Sequence, residues 1–292
     1  MIHSAFVDKL KPYITPVTHC PEVEIGLGVP RKTLRIEALD KEMKKLRLVQ
    51  PETGIDFTAK MRKYTCATLD SLPVVDGFIL KGKSPSSGFK DVKIYPGKEG
   101  KHAPLTTKGS GFFGGEAYKR FSHLAFEDEG RLNDPKIRDH FLKKLFTIAG
   151  FRAVRKRGGI SGLMKFQQDN KLLFMSYSQK YMRVLGNIAA TAPKKAAEPA
   201  FTAYEAHLYL LFDKIYTEKS VINTVMHAFG YFKEKLGPKE KAFFLRHLDK
   251  YRQGKEPLGT VVSLLRSYIT RFDEKYLETQ AFFEPYPEEL AE

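Results

Sequence analysis

From about residue 158 to its C-terminus, the chain carries apolar residues at three- and four-residue spacings, the pattern of helices that share one core. The residues that open this pattern are Leu163, Phe166, Leu173, Phe174, Tyr177, Tyr181, Leu185 and Ile188. Glycine and proline interrupt the pattern at Gly237-Pro238 and between Gly254 and Pro257, which predicts helix boundaries there. We therefore predict an all-α C-terminal domain over residues 160–292.

Residues 1–150 have a different pattern, in which short strand-like and helical pieces alternate with glycine and proline. Val74–Leu80 and Asp91–Tyr95 are both strand-like. This half is therefore predicted to be an α/β domain, a small sheet with helices. The segment Arg152–Gly162 holds four basic residues and three glycines without an apolar face, and it is the predicted joint between the two domains.

One helix boundary in the first half has a clear signature. Asp134-Pro135 combines a capping carboxylate with a proline at the first helical position. The helix is predicted to run through Ala149, with Gly150 just past its end.

The charge of the chain is unevenly distributed along its length. The total is +15, but residues 151–272 hold 22 basic and 9 acidic residues, a net of +13, whereas residues 273–292 carry a net of −6. Such a field favours anionic partners such as nucleotides or RNA. The alternative is a solvated helical surface that happens to be rich in lysine.

Two cysteines in 292 residues do not make a disulfide framework, and Cys20 and Cys66 are too far apart for a paired zinc motif. No apolar run is long enough to span a bilayer, and the N-terminus lacks the features of a secretory signal. These observations predict a protein of the cytoplasm without a membrane partner.

Two segments spell nucleotide-binding motifs. Gly77–Ser84 satisfies the P-loop pattern, but its variable positions are strand-forming and no helical pattern follows Ser84. Gly109–Gly114 satisfies the dinucleotide fingerprint, but no apolar strand precedes it. We expect neither segment to bind a nucleotide in the manner of its motif, although both could form a nest for an anion.

Cys20 lies in a segment that is not expected to form part of a hydrophobic core. It is followed by a proline, two glutamates and two glycines before Pro30-Arg31, without helical or strand periodicity, and the segment is predicted to be a loop. Glu22 is a candidate proton carrier. Arg31 could anchor an anion or pair with Glu22 or Glu24.

A second candidate segment directly follows a predicted strand, where α/β proteins usually bind ligands. The residues predicted to bind substrate there are Ser84, Ser86, Ser87 and Gly88. They add three hydroxyl groups to the candidate site.

Taken in order, three motifs of the first half resemble the thiouracil desulfidase (TudS-like) family. They are Cys20-Pro21-Glu22 with Gly28-Val29-Pro30-Arg31, Asp76–Lys81 running into Ser84–Gly88, and Glu129–Asp134. The second half resembles the YbgA-like helical domain, through His227–Lys233, Tyr251–Leu258 and Tyr276–Pro287.

The resemblance implies a [4Fe-4S] cluster held by three cysteines, with one iron open to take sulfur from a thiolated uracil base or nucleotide. Cys20 matches one ligand position, and Glu22 would move protons while water replaces the sulfur. The third cysteine of the family falls at Ser87. The family's first strand and first cysteine lie upstream of the position of Met1, so the domain is predicted to be N-terminally incomplete.

Two explanations of these differences stay open. Either the start was assigned at an internal methionine, or the cluster was lost and the fold retained for binding. Because a serine hydroxyl is a poor substitute for a thiolate, we expect this chain not to hold a stable three-cysteine cluster. The alternative function is a non-catalytic module that binds nucleotide or RNA through the basic helical domain.

Overall fold

The computed structural model describes Ile2 and residues 4–97, 102–193 and 197–291. The chain divides into two compact units, Met1–Phe141 and Leu142–Glu292. The first contains sheets and helices, whereas the described residues of the second form helices without strands. The predicted fold class, α/β followed by all-α, is therefore confirmed.

The first unit contains four α-helices that lie wholly within it and seven strands among its described residues. The helices are α1 (Ala5–Leu10), α2 (Pro21–Glu24), α3 (Thr58–Asp70) and α4 (Phe112–Phe121). The strands are β1 (Arg35–Ala38), β2 (Leu46–Gln50), β3 (Ile55–Asp56), β4 (Gly77–Leu80), β5 (Val92–Pro96), β6 (Thr106–Gly109) and β7 (Ala125–Asp128). Both predicted strands are present, as β4 and β5.

The strands form two sheets. The larger has the order β3-β2-β1-β5-β6, in which β1 pairs with β5 in parallel and the other neighbours are antiparallel. The smaller pairs β4 with β7 in parallel, with Leu80 opposite Asp128. β4 runs into the segment that contains Ser84–Gly88, and β7 runs into Glu129.

Apolar residues of three neighbouring strands form the buried face of the larger sheet. Ile36 on β1 and Ile94 on β5 are directly paired, and they pack with Leu48 against Met61 of α3. Ile36, Leu48 and Met61 are fully buried. Because side chains two residues apart share a face, this core needs only the period-two spacing of short strands.

The second unit is built from helices around one apolar core. Its helices are the C-terminal part of α5 (Pro135–Arg157), α6 (Ile160–Asp169), α7 (Lys171–Tyr177), α8 (Gln179–Thr191), α9 (Ala197–Leu211), α10 (Glu218–Gly230), α11 (Pro238–Arg252), α12 (Leu258–Phe272) and α13 (Lys275–Glu278). Aromatic rings pack against one another within the core: Phe229 and Phe244 stack at 4.1 Å between centroids, and Phe151 stacks on Tyr204 at 5.3 Å. The three-and-four spacing of the sequence is therefore a core pattern, as predicted.

The start of α5 was predicted correctly and its end was not. Asp134 caps the helix, because its Oδ1 accepts the backbone amides of Lys136 and Ile137 at 2.9 and 3.0 Å. The helix then continues through Gly150 to Arg157. It ends at Gly158 and Gly159, whose φ angles of 72° and 86° are left-handed and favour glycine.

Among the described residues, no helix combines the length and the apolar character needed to cross a bilayer.

Candidate active site

Cys20 directly precedes α2, a single helical turn. Its own backbone is extended, and Pro21 takes the first helical position. The predicted loop is thus partly helical, because a proline at that position starts a helix instead of breaking one. This turn places Glu22 next to Cys20 on a short, defined element.

Glu22 is the centre of a hydrogen-bonded cluster. Its Oε1 accepts the Ser86 hydroxyl at 2.7 Å, and its Oε2 accepts Nε of Arg31 at 2.5 Å. Ser86 is 1% exposed, and the side chains of Glu22 and Arg31 are 14% and 24% exposed. Of the two roles open for Arg31, the structure therefore shows pairing with Glu22.

Arg31 also reaches the cysteine. Its Nη2 donates to Sγ of Cys20 at 3.9 Å, and its Nη1 donates to the carbonyl oxygen of Gly28 at 3.2 Å. One guanidinium thus connects a half-buried thiol to a carboxylate. The contacts therefore connect a thiol that could act as nucleophile or ligand (Cys20), a cation (Arg31) and a proton acceptor (Glu22).

The serine segment forms a turn against this cluster. The Ser84 Oγ accepts the backbone amides of Ser86 and Ser87 at 3.3 and 3.2 Å, and the Gly88 amide donates to the Ser84 carbonyl at 2.9 Å. The Ser86 hydroxyl lies 3.0 Å from that of Ser84 and 3.4 Å from that of Ser87. Three hydroxyls therefore surround the point where Ser86 meets Glu22.

The start of α4 fixes this turn from the other side. The amides of Phe112, Phe113 and Gly114 donate to the carbonyls of Pro85 and Ser86 at 2.9–3.2 Å. A side chain at Gly114 would overlap the Ser87 carbonyl, with its Cβ 2.6 Å from the carbonyl carbon. Glycine is needed there because two backbones touch.

This contact explains why Gly109–Gly114 has glycines at the spacing of the dinucleotide fingerprint. The motif overlaps the end of a strand, β6, and the start of a helix, α4, and β6 consists of Thr106-Thr107-Lys108-Gly109, so the strand that precedes the motif is not apolar, as expected. Moreover, β6 is an antiparallel edge strand, and the first amides of α4 are already used by carbonyl oxygens. The glycines therefore allow close backbone packing, and these amides are not available to form an anion nest.

In Gly77–Ser84, the segment that matches the P-loop pattern, polar groups are likewise bonded to other residues of the chain. The amide of Gly82 donates to Oε2 of Glu129 at 2.7 Å, and the Lys81 ammonium lies 2.6 Å from Oε1. Burial alone would raise the pKa of Glu129, but the bonds from Lys81 and Gly82 outweigh it and lower the pKa. A carboxylate thus takes the Gly82 amide, one of the groups that a phosphate would need, together with the neighbouring Lys81, and no helix begins at Ser84.

Sequence reasoning missed two groups near Cys20. The phenol of Tyr64 on α3 lies 3.3 Å from Nδ1 of His19. The pKa of Tyr64 is raised by burial, opposed by a hydrogen bond with Thr68, and raised further by the charges of Glu24 and Cys20. No signal in the sequence links residues 19 and 64, because the contact depends on how α3 packs against α2.

The residues around Cys20 do not fit a [4Fe-4S] cluster. Such a cluster takes thiolate ligands, but the neighbours of Cys20 in this contact chain are a guanidinium, a carboxylate and serine hydroxyls. Cys66 is exposed on α3, and Ser87 has a hydroxyl at the family's cysteine position. Within the described ranges, no three His, Cys, Asp or Glu side chains are grouped to hold a metal ion.

Comparisons with known proteins match the two halves of the chain separately. Residues 1–129 match the family model described as 2-thiouracil desulfurase, and residues 171–287 match a family of unknown function, DUF1722. We name the two regions after what they are similar to, the desulfurase-like domain and the YbgA-like domain. The uncharacterized protein YbgA of Escherichia coli (strain K12) is 23% identical over 158 residues, which are 53% of this chain and 94% of that protein. No solved structure gives a significant match.

In the desulfurase-like domain, the predicted site residues come from two segments more than fifty positions apart, and they lie in one contact network. Its members are Cys20, Glu22, Arg31, Ser84, Ser86, Ser87 and Gly88. The structure thus places the candidates together, and the role of each is a separate proposal.

Proposed function

We propose that the desulfurase-like domain binds a thiolated uracil, as base or nucleotide, at the Cys20–Glu22–Arg31–Ser86 cluster and replaces its sulfur by oxygen. The observation that carries the proposal is the hydrogen-bonded chain from the Cys20 thiol through Arg31 and Glu22 to Ser86, in the domain that matches the desulfurase family. The ligand that we propose for this cluster is therefore a small molecule.

The groups of the cluster complement the polar edge of a thiolated uracil. That edge offers an N–H donor between oxygen and sulfur acceptors. The carboxylate of Glu22 can accept the N–H, whereas Arg31 and the serine hydroxyls can donate to oxygen or sulfur. Because Ser86 and Glu22 are mostly withdrawn from water, these hydrogen bonds would form in a site of low dielectric.

The exchange of sulfur for oxygen balances without an electron acceptor. Water adds to the carbon that carries the sulfur, the carbon–sulfur bond breaks, and the two protons of the water leave with the sulfur as hydrogen sulfide. Glu22 accepts a proton from the attacking water and returns it to the departing sulfur. Arg31 holds Glu22 and donates to the developing negative charge on sulfur.

The test measures sulfide release from 2-thiouracil and 4-thiouracil by the purified full chain. Glu22→Gln should lower the rate by at least about 100-fold, because it removes a general base. The matched control is Glu24→Gln, two residues along the same turn and exposed. If Glu22→Gln and Glu24→Gln released sulfide at equal rates, Glu22 would not be the general base. No release and no binding by the wild-type chain would overturn the proposed function.

A further inference from the structure

Tyr64 of α3 is connected to both segments of the candidate site, although it belongs to neither. Its phenol lies 3.3 Å from Nδ1 of His19, the residue that precedes Cys20. Its ring contacts the Phe113 ring at 6.1 Å between centroids, and the Phe113 amide donates to the Ser86 carbonyl at 2.9 Å. Tyr64 therefore reaches the cysteine side of the cluster while it packs against the helix that holds the serine turn.

Two hydrogen-bond donors lie near the Cys20 thiol. The first is Nη2 of Arg31, at 3.9 Å from Sγ. The second is the phenol of Tyr64, whose pKa is raised by burial and lowered by a hydrogen bond with Thr68. The charges of Glu24 and Cys20 raise this pKa further, which requires that both groups lie close to the phenol. The guanidinium and the phenol are therefore both placed beside the same sulfur.

The hydroxyl of Tyr64 can exchange its present partner for a ligand. The distance of 3.3 Å to Nδ1 of His19 is long for a hydrogen bond from an O–H group, and His19 is exposed. Replacing such a partner costs little, because water satisfies an exposed imidazole equally well. The raised pKa keeps the proton on the phenol, so Tyr64 remains a donor that a bound molecule can use.

We propose that the sulfur of the thiolated uracil lies beside Cys20, and that Tyr64 donates a hydrogen bond to it as the carbon–sulfur bond breaks. This inference rests on the proposed function and adds Tyr64 to Arg31 as a donor to the departing sulfur. A thiocarbonyl sulfur is a weak acceptor, whereas a sulfur that gains negative charge accepts strongly. The bond from Tyr64 is consequently stronger in the transition state than in the substrate complex, and this difference accelerates the reaction. Tyr64 keeps its own proton throughout.

The test measures steady-state sulfide release from 2-thiouracil and 4-thiouracil by the full wild-type chain and by Tyr64→Phe. The substitution removes the donor but keeps the ring that contacts Phe113, and a melting temperature close to that of the wild-type chain shows that the variant is folded. We expect kcat to fall by about 10- to 100-fold and KM to change by less than about twofold, because the lost bond forms mainly in the transition state.

Tyr95→Phe is the matched control. Tyr95 is also half-buried in this domain, but it lies on β5 with the Arg35 guanidinium 4.3 Å from its ring centroid, so its variant should keep both kcat and KM. A kcat of Tyr64→Phe equal to that of Tyr95→Phe would overturn the role of Tyr64 and leave the proposed function standing. A higher KM with an unchanged kcat would also overturn it, because Tyr64 would then only bind the substrate. If the wild-type chain released no sulfide, the proposed function would fail, and this inference with it.

Discussion

Gly114→Ala should destabilise the desulfurase-like domain, although helix propensity predicts the opposite. Gly114 lies in the first turn of α4, and alanine is favoured over glycine in a helix by about 1 kcal/mol. A Cβ at this position would lie 2.6 Å from the carbonyl carbon of Ser87 and 2.7 Å from that of Gly88, and closer still to the Ser87 oxygen. These atoms are backbone and cannot rotate away.

The size of the effect follows from the displacement that is needed. Ordinary contact begins at 3.4 Å and the Ser87 oxygen would be the nearest atom to the Cβ, so the turn and the helix must separate by more than 1 Å. The amides of Phe113 and Gly114, which donate to Ser86 at 2.9 and 3.1 Å, would lose good geometry. Overpacking and weakened hydrogen bonds together should cost about 3 kcal/mol, or roughly 10 °C in the melting temperature of this domain.

The control is Gly230→Ala, at the end of α10, where a Cβ meets open space. Its melting temperature should stay the same or rise slightly, because only propensity acts there. Differential scanning calorimetry measures both variants, and hydrogen exchange at residues 84–88 shows whether the turn loosens. A Gly114→Ala melting temperature at or above that of the wild-type chain would refute the packing argument.

Three further predictions concern other parts of the chain. Tyr204→Phe leaves Oε1 of Gln167 without the buried hydroxyl that donates to it at 2.6 Å, and chemical denaturation should show a loss of about 1–3 kcal/mol; no loss would mean that water replaces the hydroxyl. The pKa of Glu129 is lowered in the folded chain relative to an ordinary glutamate, so its stabilisation is complete above the ordinary pKa and disappears as the pH falls through the folded pKa. The stability difference between wild type and Glu129→Gln should therefore shrink as the solution is acidified through that range, and a constant difference would contradict the ion pair. Asp134→Ala removes the cap of α5 and should cost about 1 kcal/mol, measured by thermal unfolding against the neighbouring exposed Lys136→Ala.

The sequence predicted those features that depend on local periodicity or on short motifs. The helices of the second half followed from apolar spacing, and the Asp134 cap followed from one carboxylate and one proline. The end of α5 did not follow, because Gly150 is tolerated inside a helix when a glycine pair further on can stop it.

Other features depend on pairing across distance and leave no trace in the sequence. β6 has the polar residues Thr106, Thr107 and Lys108, yet it forms a strand because an edge strand needs only backbone bonds to β5. The close contact between Gly114 and the backbone of the serine turn could not be predicted either, since the two segments are more than twenty residues apart in the sequence. The candidate site was predicted through its motifs, whereas its neighbour Tyr64 required the packing of α3.

The serine turn is held from two directions, by the amides of α4 and by Glu22. A ligand that arrives there does not have to order the loop, so its binding free energy is not reduced by the conformational entropy of five residues. Affinity at this position would then reflect the fit of the bound group itself. Small changes in that group, such as oxygen in place of sulfur, should consequently appear almost undiminished in the measured dissociation constant.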